Sequence, residues 1–336
     1  MKLRRKGKIF LRYLLGPLLL VLLTGAIVQE LRSQQDLPHL LDGLRNALSG
    51  AATGKGLVWL TALLLLMPLN WLLEAYKWKT AIGTLQPVSL FTAFKATLSG
   101  VSFSVSLPNR VGEYLGRMLY LDEGNRLKAI PVTVIASLSQ LLLTLVAGVF
   151  SVIYLFPALS KPGLFTVTYL VLFTGAAIAG LILLLMLYFK VGGLSSRLLN
   201  MFNVKWLHYW VEGLSYFDNQ RLRRMLWLSA IRFGIFLLQY GCAFAIFNVS
   251  LTPITLVATV SLCFLLMSVV PNFAIAELGI RGMLMVWVIG IYSTNKAGIL
   301  LATLSIWLVN LILPAAVGAL LLLGNRKLYS GADEKN

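Results

Sequence analysis

Long apolar runs separated by short basic stretches set the pattern of this chain. Six runs, at about 9–29, 57–76, 130–157, 164–189, 226–248 and 297–323, reach or exceed the ~17–20 residues a helix needs to cross a bilayer's hydrocarbon core. Two further apolar stretches, 88–107 and 254–270, each run straight into a Pro-Asn dipeptide. The segments after them, at about 111–121 and 278–292, are too short or too polar for an ordinary span. Non-helical backbone is tolerated at membrane depth where protein or a water-filled cavity surrounds it. The pattern therefore predicts an all-α integral membrane protein with about six full transmembrane helices plus two re-entrant helical hairpins. Residues 1–336 form one polytopic domain on this reading.

The two hairpin tips resemble one another. Pro108-Asn109-Arg110-Val111-Gly112-Glu113-Tyr114-Leu115-Gly116-Arg117 is followed, 163 positions on (271 minus 108), by Pro271-Asn272-Phe273-Ala274-Ile275-Ala276-Glu277-Leu278-Gly279-Ile280-Arg281. Each places a Glu four residues before an Arg. Upstream, Pro87-Val88-Ser89-Leu90 pairs with Pro253-Ile254-Thr255-Leu256, each proline being suited to a first helical turn. The repeating unit is crossing, hairpin, crossing, over 57–157 and again over 226–323. Between them, 190–225 reads as a cytoplasmic amphipathic linker carrying Leu198, Phe202, Trp206 and Trp210, then Arg221, Arg223 and Arg224. Leucines at helical spacing from Asp36 to Ser49 predict an interfacial helix on the outer face.

Charge orients this arrangement. Only 12% of residues are charged and 58% are hydrophobic, against about 25% charged in soluble domains. Lys and Arg number 29 against 12 acids, a net +17. With the N-terminus inside and each hairpin returning to its own side, the inner stretches 1–12, 77–128, 190–232 and 324–336 hold 6, 7, 7 and 3 of them, 23 of the 29. That split obeys the positive-inside rule and puts both termini in the cytoplasm. It also opens the two hairpins to opposite sides, making the repeats inverted, a signature of transporters. The cations flank apolar segments rather than forming an aromatic-interleaved patch, so no nucleic-acid partner is expected. Cys242 and Cys263 lie in apolar runs, and His39 and His208 stand far apart. No metal site, cofactor or catalytic constellation is expected.

The candidate chemistry lies in the motifs. Glu before Arg at i, i+4 puts the two charges on one helix face. A charge at the bilayer centre costs ~2.5–3.5 kcal/mol on insertion scales, which favours a functional reason over a plain ion pair. A helix starting after Pro-Asn offers free amides to phosphate or carboxylate, and arginine adds bidentate geometry. The candidate substrate-binding residues are Pro108, Asn109, Arg110, Gly112, Glu113, Arg117, Pro271, Asn272, Glu277 and Arg281, with the two Glu-Arg pairs expected to face one another across a shared cavity. Glu74, Lys77, Gln140 and Asn310 are secondary candidates. For Glu74, Lys77 and Lys79 the ordinary use is anchoring a helix end. Lys95 and Arg232 read as snorkelling cations, and Gln140, Gln239 and Asn310 as interhelical hydrogen-bonders.

Leu73-Glu74-Ala75-Tyr76-Lys77-Trp78-Lys79, the Pro108-to-Arg117 stretch and the later Glu277-Leu278-Gly279-Ile280-Arg281 resemble the lysylphosphatidylglycerol synthase transmembrane-region family, the flippase-like module of the multiple peptide resistance factor. The resemblance covers roughly 10–325. It departs from the family at Phe273-Ala274-Ile275-Ala276, where a Gly-rich turn is common. It implies a multi-pass protein of the bacterial cytoplasmic (inner) membrane that moves lipids between leaflets. The partners implied are membrane lipids: an anionic or amino-phospholipid, or a lipid-linked precursor. The synthase activity in the family name belongs to a separate cytosolic domain and is not carried over. The alternatives are an intramembrane lipid-modifying enzyme or an accessory subunit of one.

Overall fold

A computed structural model describes residues 42, 45, 54–106, 111–161, 166–201, 211–269 and 274–323. The predicted first span at 9–29 lies outside them, as do most of the outer interfacial helix and Phe202, Trp206 and Trp210 of the linker. The described residues are α-helical, with no strand among them. In chain order the helices are α1 (Gly54–Ile82), α2 (Leu90–Ser106), α3 (Val111–Met118), α4 (Glu123–Arg126), α5 (Ala129–Leu159), α6 (Val167–Phe189), α7 (Val191–Met201), α8 (Asn219–Ile246), α9 (Pro253–Val269), α10 (Ala274–Ile289) and α11 (Lys296–Leu323).

Five of these, α1, α5, α6, α8 and α11, are long and apolar enough to span a bilayer. At 1.5 Å per residue, the 29 residues of α1 reach about 44 Å. The 17 of α2 and 8 of α3 reach only about 26 Å and 12 Å. The chain is thus an all-α membrane protein in which two pairs of short helices, α2 with α3 and α9 with α10, stand between long ones. Two boundaries differ from expectation. The linker does not run to 225: α8 begins at Asn219, capped by the Asp218 carboxylate, which accepts from the Arg221 amide at 2.7 Å. Arg221, Arg223 and Arg224 therefore belong to its first turns. Likewise α10 starts four residues before the expected 278.

Glycine fixes the first short pair. A Cβ on Gly116 would lie 2.6 Å from the Gly100 backbone, one on Gly100 would lie 2.7 Å from the Glu113 carbonyl oxygen, and one on Gly112 would collide with the Phe103 backbone. With Ser99 Oγ and Tyr120 Oη 2.9 Å apart, these contacts run antiparallel along α2 and α3. The helices touch backbone to backbone, which only glycine permits. In the second pair Cys263 Sγ on α9 lies 3.7 Å from the Leu284 carbonyl on α10.

The register of the two pairs is set by hydroxyl caps rather than by the prolines. Ser89 Oγ accepts from the Thr92 amide at 3.0 Å, and Thr252 Oγ1 accepts from the Thr255 amide at 3.3 Å. Ser89 therefore corresponds to Thr252, 163 positions on (252 minus 89), the same offset as the Pro-Asn dipeptides. Pro253 occupies the first helical position, whereas Pro87 stands before its helix; pairing Pro87 with Pro253, 166 apart (253 minus 87), puts the two segments three residues out of step. Packing follows a reciprocal scheme. α1 lies against α8, α2 against α11, and α9 against α5, so the first arm of each hairpin meets the last long helix of the other half. α8 is the most enclosed long helix and α6 the least, with 50% and 6% of their apolar windows buried, which puts α6 on the lipid-facing periphery.

Candidate functional site

On α1, Asn70, Trp71, Glu74, Lys77 and Trp78 recur at helical spacing and share the buried face. Glu74 and Lys77 are only 5% and 1% exposed, so neither anchors a helix end in water, contrary to the sequence-based expectation. Glu74 gathers three cations from three elements. Lys77 Nζ is 2.8 Å from Oε2, Arg117 Nη2 on α3 is 3.1 Å from Oε1, and Arg232 Nη1 on α8 is 3.1 Å from Oε2. Arg117 also reaches Glu113 Oε2, at 3.5 Å. The intrahelical pair expected from the motif is therefore the longer of Arg117's two contacts. The stem of Arg117 passes over Gly100, where a Cβ would stand 3.2 Å from its Cγ. Gly100 thus clears the path from the hairpin to Glu74.

Arg232 does not snorkel. Its Nε donates to Asn70 Oδ1 at 2.8 Å and its Nη1 stands 3.5 Å from Gln140 Oε1. Its guanidinium lies 5.4 Å from the Trp71 ring centroid and 5.2 Å from that of Phe236, within cation–π range. Asn70 Nδ2 in turn donates to Asn310 Oδ1 at 3.1 Å, and Asn310 Nδ2 to the Ile306 carbonyl at 3.3 Å. Asn310 sits in a π-turn, Leu308–Ile312, inside α11. Pro314, four residues on, has no N–H to donate to the Asn310 carbonyl, and within the turn the Leu313 amide donates to the Leu308 carbonyl, five residues back. Such bulges are frequent at functional sites. One polar network therefore joins α1, α3, α5, α8 and α11.

In front of this network lies a cavity of about 300 Å³, lined among others by Trp71, Glu113, Gln140, Arg232, Arg281 and Asn310, with Phe233, Phe236 and Phe264 on its walls. Glu113 comes from the first hairpin and Arg281 from the second, so one charge of each motif reaches the same space. Arg117 instead turns into the network. Gly112 is buried in the hairpin seam. Pro108, Asn109, Arg110, Pro271 and Asn272 lie outside the described residues, as does the side chain of Glu277. The indole N–H groups of Trp71 and Trp307, both lining the cavity, have no hydrogen-bond partner among the described residues. The space thus offers two guanidinium groups, unused N–H donors and a carboxylate between aromatic walls. That set suits a group carrying phosphate, with or without an amine.

The family described as Lysylphosphatidylglycerol synthase TM region matches residues 10–318. The chain belongs to this family. No curated protein sequence matches it. As a lysylphosphatidylglycerol synthase TM-region protein it is a membrane protein of a lipid-related family, and the match takes in both hairpins, the Glu74 network and the cavity. The sequence pattern missed Arg232 as part of the site. A signal was present: a lone arginine between Trp227 and Phe236 in a helix is too deep to reach either end easily, so it calls for a buried partner.

Proposed function

We propose that this protein moves a phospholipid or lipid-linked substrate between the leaflets of the bacterial cytoplasmic membrane, with the headgroup passing through the cavity between the two hairpins. The observation that carries the reading is the meeting of Glu113 and Arg281, one from each hairpin, in one cavity backed by buried charge. The reciprocal packing of the halves supports alternating access, in which one repeat rocks against the other around a fixed site. Arg232 and Arg281 hold the phosphate, and Glu113 receives a headgroup amine or orients a cation. The aromatic wall excludes water while the acyl chains stay in lipid. Opposed re-entrant hairpins carry the headgroup past the hydrocarbon core from either side, with both termini in the cytoplasm.

The test is leaflet exchange of headgroup-labelled phosphatidylglycerol and phosphatidylethanolamine in proteoliposomes of the purified chain, with mass detection of the recovered lipid. Exchange with an unaltered headgroup is the expected result. A chemically changed headgroup would instead favour the intramembrane enzyme, and no exchange of any lipid offered would count against transport.

A further inference from the structure

A second cavity, of about 460 Å³, lies away from the hairpins, where the end of α1 meets the start of α8; it is lined by Tyr76, Lys79, Thr80, Asp218, Gln220, Arg221 and Arg224. We propose that it is a binding site for a phosphate group, presented by an anionic phospholipid headgroup at the membrane surface. Three cations face one carboxylate in this space. That carboxylate, Asp218, already caps α8 through the Arg221 amide. Arg224 is held in place, its Nη2 donating to Tyr76 Oη and its guanidinium 5.2 Å from the Tyr76 ring centroid. Arg221 Nη1 is shielded from solvent and has no hydrogen-bond partner among the described residues. No ion pair engages Lys79 among the described residues.

Cations confined together repel unless an anion joins them, and two arginines with a lysine supply both the fork and the point charge that phosphate recognition uses. The position favours lipid over soluble phosphate. Trp227, 69% exposed, and Tyr216, 57% exposed, flank the first turns of α8, and aromatic residues of this kind mark membrane–water boundaries. This is the end of the bundle that the charge asymmetry assigns to the cytoplasm. The site also shares both its helices with the central network: Tyr76 and Lys79 bracket Lys77 on α1, and Arg224 precedes Arg232 on α8 by about two turns. A headgroup held here stands on the elements that carry Glu74 and Arg232. The site is nonetheless defined by retention of a ligand and does not depend on the transport reading.

The full chain in phosphatidylcholine nanodiscs, with and without phosphatidylglycerol, tests the proposal. Retained phosphatidylglycerol is counted by native mass spectrometry, and inorganic phosphate is titrated calorimetrically into the discs lacking it. A cation near the membrane surface contributes roughly fivefold to anionic-headgroup affinity. Lys79→Gln with Arg221→Gln should therefore lower retention at least tenfold, while Arg223→Gln, an exposed neighbour outside the cavity, leaves it unchanged. Elution of the double variant as the parent checks its fold; if it does not fold, Lys79→Gln alone should show the roughly fivefold loss. Loss of inorganic phosphate binding with unchanged lipid retention would keep the site and assign it to soluble phosphate. Equal retention and equal phosphate binding in parent and variants would overturn it.

Discussion

Among the described residues Glu74 is the one carboxylate in contact with three cations, and its removal gives a sharp test of the central network. Glu74→Gln keeps the shape and deletes the charge. Lys77 and Arg117 have side chains only 1% and 2% exposed, against 12% for Arg232 on the cavity wall, so the first two lose their partner with almost no access to water. Glu113, 3.5 Å from Arg117, would remain as the only described carboxylate touching the group. Formal charge over Glu74, Glu113, Lys77, Arg117 and Arg232 rises from +1 to +2. Removing one member of a buried pair costs about 3–5 kcal/mol, because a charge is left uncompensated. We expect a loss in that range, measured by reversible denaturant unfolding in detergent micelles. Lys77→Met should destabilise the parent but recover part of the loss in the Glu74→Gln background, giving a coupling energy of about 1 kcal/mol or more. A loss under about 1 kcal/mol, or strictly additive effects, would refute the network as described.

Three further outcomes follow from the packing. Gly116→Ala forces a Cβ to 2.6 Å from the Gly100 backbone and should cost about 1–3 kcal/mol by overpacking, whereas Gly175→Ala, with nothing within 4 Å, should be neutral or stabilising; thermal unfolding of the two compares them directly. Gln239 is fully buried and neither of its amide atoms has a partner among the described residues, so Gln239→Leu should raise stability by about 1 kcal/mol or more; a decrease would show that the amide is used. Arg232→Lys keeps the charge but cannot reach Glu74, Asn70 and Gln140 at once or stack on Trp71, and should cost about 1.5–3 kcal/mol. Unfolding data matching the parent would contradict that geometry.

Much of the architecture was legible because a bilayer demands long apolar helices, and those leave a plain trace. The long spans between 57 and 323 and the short apolar stretches at 88–107 and 254–270 were all written in local pattern. What escaped was long-range. The partners Glu74 and Arg232 lie on different helices, and ion pairs across helices leave no spacing to read. The shared face of Asn70, Trp71, Glu74 and Lys77 was visible as a helical period, but an end-of-segment position suggested anchoring instead. The hairpin register was misread because proline looked the stronger landmark; the capping hydroxyls of Ser89 and Thr252 keep the offset of the Pro-Asn dipeptides, and they mark the true helix starts. The π-turn at Asn310 could have been suspected from Pro314 within an apolar run.

In the proposed function a headgroup crosses between the hairpins, using one charge from each. Leaflet exchange in proteoliposomes should be compared for the parent, Glu113→Gln, Arg281→Gln and the double variant, each verified as folded by its elution and unfolding profile. Arg117 is left intact because Glu74 holds it. Exchange reduced at least about tenfold in each single variant, equivalent to ~1.4 kcal/mol in the barrier, is the expected result. Exchange at the parental rate in the folded double variant would rule out a role for Glu113 and Arg281 in translocation.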